Sequence, residues 1–285
     1  MATAAEKCAT FRRLHESGCF VMPNPWDVGT TRYLQHLGFP ALATTSAGAA
    51  FSIGCPDSDR EVSCETMLGH IAELAAASDL PMNADFGSGY ARDADGVAAN
   101  VERCVATGVA GLSIEDSTGD AGEPLFPLEH AVERLRAARA AIDRHGGDVL
   151  LTGRSEGFVA GRPDLADAIR RLIAYAEAGA DCLYAPGIAT GEQIDAVVRA
   201  VAPKPVNVLV GAAMALSRAD LAGLGVRRIS VGSGLARAAW GAFMRAAGAI
   251  AETGRFDALA DAASGAELNR FFGADRTRRG RAADL

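Results

Sequence analysis

An α/β fold of the (β/α)8 TIM barrel type, with extra C-terminal helices, is what the sequence predicts, and three observations predict it. The chain has 285 residues, the size of one barrel rather than of a small domain. Short apolar runs alternate with longer amphipathic segments, the order that builds a parallel sheet under covering helices. The apolar runs number eight and are mostly apolar on both faces, as a buried parallel sheet requires. An open, doubly wound sheet would need fewer strands or a split into two units.

The strands are expected near Cys19–Met22, Ala41–Thr45, Pro81–Asp85, Gly111–Glu115, Val149–Gly153, Cys182–Ala185, Val206–Val210 and Arg228–Val231. Helical periodicity between them predicts Cys64–Ala77, Gly96–Thr107, Leu128–Arg144, Asp164–Ala178 and Gln193–Val201. Gly108, Gly146 and Gly179 each follow such a segment and suit C-terminal caps. Pro127 and the Pro163-Asp164 pair suit helix starts. After the eighth strand, Leu235–Thr253 reads as a long helix, with shorter ones near Phe256–Ala263 and Ala266–Phe272. No linker-like stretch interrupts the chain, so residues 1–275 are expected to form one domain, followed by a charged tail at 276–285.

Composition excludes several function classes. Hydrophobic residues make up 49% and charged residues 22%, which is globular rather than disordered or fibrous. A net charge of −7 argues against nucleic acid, whose partners carry a basic field. No apolar run approaches the roughly 20 residues that span a bilayer, so no membrane partner is expected. The N-terminus lacks an apolar signal core, and cytoplasmic placement is expected. All but Lys7 and Lys204 of the 28 basic residues are arginines, and neither lysine is well placed for an imine. The six cysteines show no metal-type spacing and read as reduced thiols. The five histidines all fall in or near helices and suit surface or helix-end roles.

In such a barrel the chemistry sits at the C-terminal ends of the strands. Collected there are Thr44-Thr45-Ser46-Ala47-Gly48, the loop Gly54-Cys55-Pro56-Asp57, and Asn83-Ala84-Asp85. Ser113-Ile114-Glu115-Asp116, Gly153-Arg154-Ser155-Glu156 and Asn207 join them. Asp57, Asp85, Glu115 and Asp116 are thereby expected on one face, with Arg154 opposite. Acids with no histidine or thiolate partner suit a hard cation, Mg²⁺ above all, held partly through water. An arginine beside them suits a substrate carboxylate or phosphonate.

With Asn24-Pro25-Trp26-Asp27 and Gly153–Phe158 added, the order and spacing of these motifs resemble the isocitrate lyase/phosphoenolpyruvate mutase superfamily, from about Phe20 to Phe272. The resemblance implies a Mg²⁺-dependent enzyme acting on small 2-oxo or enol acids, often a homotetramer that swaps a C-terminal helix between subunits. It implies metal ligation around Asp85, Asp57, Glu115 and Asn83, and substrate contacts from Ser46, Ala47, Gly48, Trp26, Asp57, Arg154 and Asn207. Arg154, Glu115 and Ser46 would carry the catalytic roles. Asn83 stands where the family has the first Asp of its D-x-D pair. The loop Ser117–Pro124 has none of the Cys, His or Lys of the isocitrate lyase and mutase lids.

The expected activity is therefore a Mg²⁺-dependent carbon–carbon lyase or decarboxylase acting on a small 2-oxo or 2-hydroxy dicarboxylic acid through a pyruvate-type enolate. The alternatives are a C–P mutase or hydrolase on phosphonopyruvate, and a non-catalytic 2-oxo acid binder.

Overall fold

The computed structural model describes residues 2–283, with side chains through residue 280. Residues 2–234 form one compact unit and the residues from Leu235 onward form a second.

The first unit is the barrel. Its strands are β1 (Phe20–Met22), β2 (Leu42–Ala43), β3 (Met82–Asp85), β4 (Gly111–Glu115), β5 (Leu150–Arg154), β6 (Cys182–Tyr184), β7 (Val206–Leu209) and β8 (Arg228–Ser230). All ladders are parallel and run in the order β1-β8-β7-β6-β5-β4-β3-β2. The seam between β1 and β2 is bridged without a regular ladder: Ala43 N–H donates to Pro23 O at 3.1 Å. Asn24 continues the bridge, its Nδ2 donating to Thr44 O and its Oδ1 accepting from the amides of Val231 and Gly232.

The covering helices are α1 (Ala4–Glu16), α2 (Val28–His36), α3 (Ser46–Ser52), α4 (Cys64–Ala77), α5 (Ala94–Val105), α6 (Leu128–Arg144), α7 (Leu165–Glu177), α8 (Gly191–Val201) and α9 (Arg218–Gly223). Each predicted strand is found within a residue or two of its expected ends, as are the five predicted helices. Gly108, Gly146 and Gly179 do end helices, with φ of +84°, +98° and +103° that only glycine adopts readily. Both prolines lie just outside their helices. Pro127 is the N-cap of α6, and Pro163 precedes the Asp164 N-cap of α7.

Side chains alternate along each strand. Outward residues such as Leu112, Leu151, Leu183, Val208 and Ile229 are buried under the helices. Inward residues are largely polar: Asn83, Ser113, Thr152, Asn207, Arg228 and Ser230 are all buried. A barrel interior filled this way must satisfy its hydrogen bonds within itself, and Thr152, Asn207, Arg228 and Ser230 bond to one another while Asn83 Oδ1 is left without a partner. Beneath the strands, α1 supplies Phe11, fully buried against Gly111; a Cβ at Gly111 would come 2.6 Å from that ring.

His15, also on α1, stands edge-on to Phe11 and Phe20 at 4.6 and 5.1 Å. It is a helix-end histidine, as expected, but not a surface one. Burial first, and then the nearby Arg228 charge, push its pKa down to about 3, so it is neutral. Lys7 is likewise buried, donating to the carbonyls of Ala75 and Ser78 at the end of α4. The six cysteines are free, with Cys8, Cys104 and Cys182 buried.

The second unit contains α10 (Gly234–Thr253), a 3-10 turn at Asp257–Leu259 and α11 (Gly265–Ala283). The last helix is longer than its sequence pattern indicates, because it continues through the arginine-rich segment beyond Phe272. Arg279 pairs with Asp275 one turn earlier, at 2.9 Å, and supports that continuation. No helix among the described residues is long and apolar enough to cross a membrane.

Candidate active site

At the C-terminal end of the barrel a cavity of about 150 Å³ opens into an outer vestibule of about 390 Å³. Inward residues of the strands form its wall, and the loops after β2, β3 and β4 form its mouth. At roughly 10–15 Å³ per water in such a measure, the inner chamber suits a small acid of a few carbon atoms.

Arg154, the last residue of β5, lies at the junction of the two chambers. Sequence reasoning places it opposite the acids, whereas the structure places it among them. Its Nη1 is 3.1 Å from Asp85 Oδ1 and 3.3 Å from Glu115 Oε2, and its Nε donates to Glu156 Oε1. Its guanidinium also covers the Tyr184 ring, 5.2 Å from the centroid. Burial alone would lower the Arg154 pKa, but Glu156 and Glu115 hold it well above the ordinary value. Burial pushes Glu115 and Glu156 up, against the opposing pull of Arg154. One guanidinium thus faces three carboxylates, with Asp57 as a further acid nearby.

Local structure orients these groups. Thr45 caps α3 by accepting from Gly48 N–H at 3.2 Å, which places Ser46 at the helix start. Ser46 N–H then donates to Asp85 Oδ2 at 3.0 Å, and Thr44 Oγ1 accepts from Asp85 N–H at 2.9 Å. Asp57 keeps an exposed edge at the mouth while its carboxyl lines the cavity. Partial desolvation and then the Asp85 charge push it up, with the Ser46 hydroxyl and Arg154 opposing.

Of the residues expected in the site, Ser46, Ala47, Asp57, Asn83, Asp85, Arg154 and Asn207 line the inner chamber, and Glu115 lines the vestibule. Gly48 is buried behind the wall with its amide engaged by the cap. Trp26 is also absent from the wall; its backbone amide donates to Thr30 at the start of α2. Asp116 faces away from the cavity and corrects the expectation for that residue. It accepts from Glu156 N–H, Arg171 Nη1 and Tyr175 Oη–H at 2.8, 3.1 and 2.5 Å, and it is 2% exposed. It is a buried brace for the loop that carries Glu156.

The structure adds Tyr184, Ser230 and Arg228, and it brings Glu156, collected at the end of its strand but given no role, into the acid cluster. Arg228 was findable: it shares strand parity with Ser230, and a charged residue inside a short apolar run must face something polar. The loop Ser117–Pro124 is a compact turn tied by its own hydrogen bonds, among them Thr118 N–H to Pro124 O at 3.0 Å and Gly122 N–H to Asp120 Oδ1 at 2.8 Å.

Asp57, Asp85, Glu115 and Glu156 gather around Arg154 with no His, Cys or Lys among the described lining residues, and Asn83 Oδ1 is buried with no hydrogen-bond partner. That chemistry fits Mg²⁺. Among the described residues, no three His, Cys, Asp or Glu side chains converge closely enough to ligate one ion directly. A cation there would be held through few direct ligands and otherwise through water.

Residues 11–251 match the protein family described as phosphoenolpyruvate phosphomutase. Oxaloacetate decarboxylase of Paraburkholderia xenovorans (strain LB400) is 31% identical over 227 residues, 77% of this chain and 73% of that protein. A crystal structure from Burkholderia cenocepacia J2315, provisionally described as a lyase/mutase, superposes with a TM-score of 0.90 at 47% identity, covering 94% of this chain and 96% of the other. Phosphonopyruvate hydrolase, crystallised with oxalate and Mg²⁺, superposes with a TM-score of 0.83 at 27% identity, covering 99% of each chain.

Proposed function

Because the chain belongs to the phosphoenolpyruvate mutase/isocitrate lyase superfamily, we propose that it is a Mg²⁺-dependent carbon–carbon lyase acting on a small 2-oxo or 2-hydroxy dicarboxylic acid. Oxaloacetate decarboxylation is the leading reaction. The observation that carries this reading is the acid cluster of Asp57, Asp85, Glu115 and Glu156 around the single guanidinium of Arg154. Relatives named oxaloacetate decarboxylase support the choice of reaction.

Asp85 and Asp57, with Asn83 and Glu115, would hold Mg²⁺. Bound there, the ion supplies Lewis-acid stabilisation of developing oxyanion charge on the substrate. The rest of the chemistry belongs to the chain. In decarboxylation, the C3–C4 bonding pair flows toward the C2 carbonyl, CO₂ leaves, and the resulting enolate takes a proton at C3 to give pyruvate. Arg154, held by its carboxylates, presents a fixed positive edge to that charge without reorganising. The Ala47 backbone lies on the chamber wall at the start of α3, where the neighbouring Ser46 and Gly48 amides are already engaged. Among the described residues no His, Cys or Lys lines either chamber, and water or a hydroxyl would supply the C3 proton.

The test is pyruvate release from oxaloacetate, 2-methylisocitrate, dimethylmalate and phosphonopyruvate, with Mg²⁺ and then with chelator. Mg²⁺-dependent pyruvate from a dicarboxylate is the expected result. Release from phosphonopyruvate alone would replace the reading with C–P cleavage. No turnover, with 2-oxo acids still raising Tm, would replace it with a binding protein.

Self-association through the C-terminal helices belongs to the same proposal. Trp240, Phe243, Met244 and Phe256 are large, apolar and exposed there, as surfaces covered in an oligomer are. Light scattering on the full chain should give a multiple of 29.4 kDa; a monomer at micromolar concentration would overturn this part.

A further inference from the structure

The chamber has two electrically different ends. At the mouth, Arg154 is paired with Asp85, Glu115 and Glu156, so carboxylates outnumber the cation there. At the floor stands a second arginine, Arg228 of β8, which lines the same chamber and is 2% exposed. Its partners are all neutral. Nε donates to Asn207 Oδ1 at 2.9 Å, Nη2 to Thr152 Oγ1 at 3.0 Å, and Nη1 lies 3.4 Å from His15 Nε2. The other ring nitrogen of His15 faces Phe11 O at 2.8 Å, so it carries the proton, and Nε2 is left to accept from Arg228. No carboxylate of the described residues pairs with this guanidinium.

A buried guanidinium stays charged and is costly unless a counter-charge or a full set of hydrogen bonds offsets it. Three of its five N–H groups have partners. The rest of the floor includes the Ser230 hydroxyl, which accepts from Asn207 Nδ2 at 3.0 Å, and no acid. We infer that Arg228, with Asn207 and Ser230, forms a carboxylate subsite on the chamber floor. It receives the anionic end of the substrate that lies farther from the acid cluster. The inference rests on the proposed function for the identity of the ligand as a dicarboxylate, and it assigns to Arg228 the anchoring role that the sequence assigns to Arg154. It makes the site selective for two-ended acids, because a monocarboxylate leaves the Arg228 charge unmatched.

The experiment compares malonate with malonamate, probes of one shape carrying two charges and one, by calorimetric titration of the full-length protein in chelator. Turnover is not read, so failure of the lyase reading, which the pyruvate assay detects, leaves this result intact. Wild-type protein should bind malonate about tenfold more tightly or better, as a charge-assisted contact provides. Arg228→Gln should reduce that preference to about twofold or less, and Arg228→Lys should retain part of it. Asn207→Asp guards against misfolding of the Arg228 variants. It places a carboxylate against Arg228 Nε, neutralises the guanidinium inside a stable pair, and should abolish the preference as well. Equal binding of the two probes by wild type, no binding of either, or an unchanged preference in Asn207→Asp overturns the inference.

Discussion

Replacing Arg154 with methionine removes the guanidinium and keeps most of the side-chain volume, so it isolates the charge. The side chains of Arg154, Asp85, Glu115 and Glu156 are 17%, 20%, 16% and 8% exposed, so solvent screens little of what is lost. Removing one partner of a buried ion pair costs about 3–5 kcal/mol, chiefly because the remaining charges are stranded. For a barrel of this size each kcal/mol lowers Tm by roughly 2–4 °C, so the expected loss is on the order of 6–20 °C near neutral pH. The loss should also depend on pH. Burial already raises the folded-state pKa of Glu115 and Glu156, and without Arg154 it rises further. Between the unfolded and the raised folded values the folded state binds more protons, so stability present at low pH is lost as pH rises through that window. Circular-dichroism melts at about pH 5 and about pH 8 would therefore show the variant closer to wild type at the lower pH. Saturating Mg²⁺ should stabilise the variant over its metal-free form by about 2.7 kcal/mol at a hundredfold excess over Kd, because a cation then serves the same acids. A Tm within about 2 °C of wild type at both pH values would refute the reasoning.

Three further outcomes follow from the same structure. Asp116→Asn should cost about 1.5–3 kcal/mol of stability, since the charged acceptor of Arg171 and Tyr175 is lost while Arg171 keeps Asp167 at 2.7 Å, while Mg²⁺ affinity stays within about twofold; a large affinity loss in a variant of normal Tm would return Asp116 to the site. His15→Gln should flatten the acid limb of stability. A histidine depressed to about 3 favours the neutral folded state, so its contribution is lost as pH falls below about 6.5, at up to roughly 1.4 kcal/mol per pH unit. Urea midpoints at about pH 7 and pH 4.5 that fall equally in variant and wild type would contradict this assignment. Asn83→Asp should tighten Mg²⁺ about tenfold or more by adding charge at an oxygen that lacks a partner, and should lower Tm when the ion is withheld. Weaker Mg²⁺ binding by titration would show that Asn83 does not face the ion.

Most of the barrel was legible because its strands are buried on both faces and its helices carry one apolar stripe, two patterns that survive without tertiary context. Apart from α1, a 13-residue helix whose amphipathic pattern was not assigned as an element, the elements that escaped reading are the short ones. The stretches that form α3 and α9 are too brief for a helical period to repeat, and α2, with Thr30 and Thr31 in its first turn, resembles a loop. Capping hydrogen bonds and packing against the barrel decide their state. Among site residues, those following strands were found because any side chain at a strand's C-terminal end points toward the barrel mouth. Asp116 was misread for the same reason: it follows Glu115 immediately, and one residue along a strand reverses the facing.

Alternation of apolar and amphipathic segments, the glycine caps and the polar residues after each strand determined by themselves that this chain is a (β/α)8 barrel with its chemistry at one end. Tertiary structure alone decided the electrostatics. Arg154 and Arg228 are alike in sequence, each an arginine at the edge of an apolar run. One closes against three carboxylates from strands β3, β4 and its own following loop. The other closes against an amide, a hydroxyl and a neutral imidazole. Which counter-charges surround a buried cation depends on contacts across as many as 213 residues of chain, as between His15 and Arg228. Coulomb energy acts through space at the dielectric of the folded interior, and no local pattern records it.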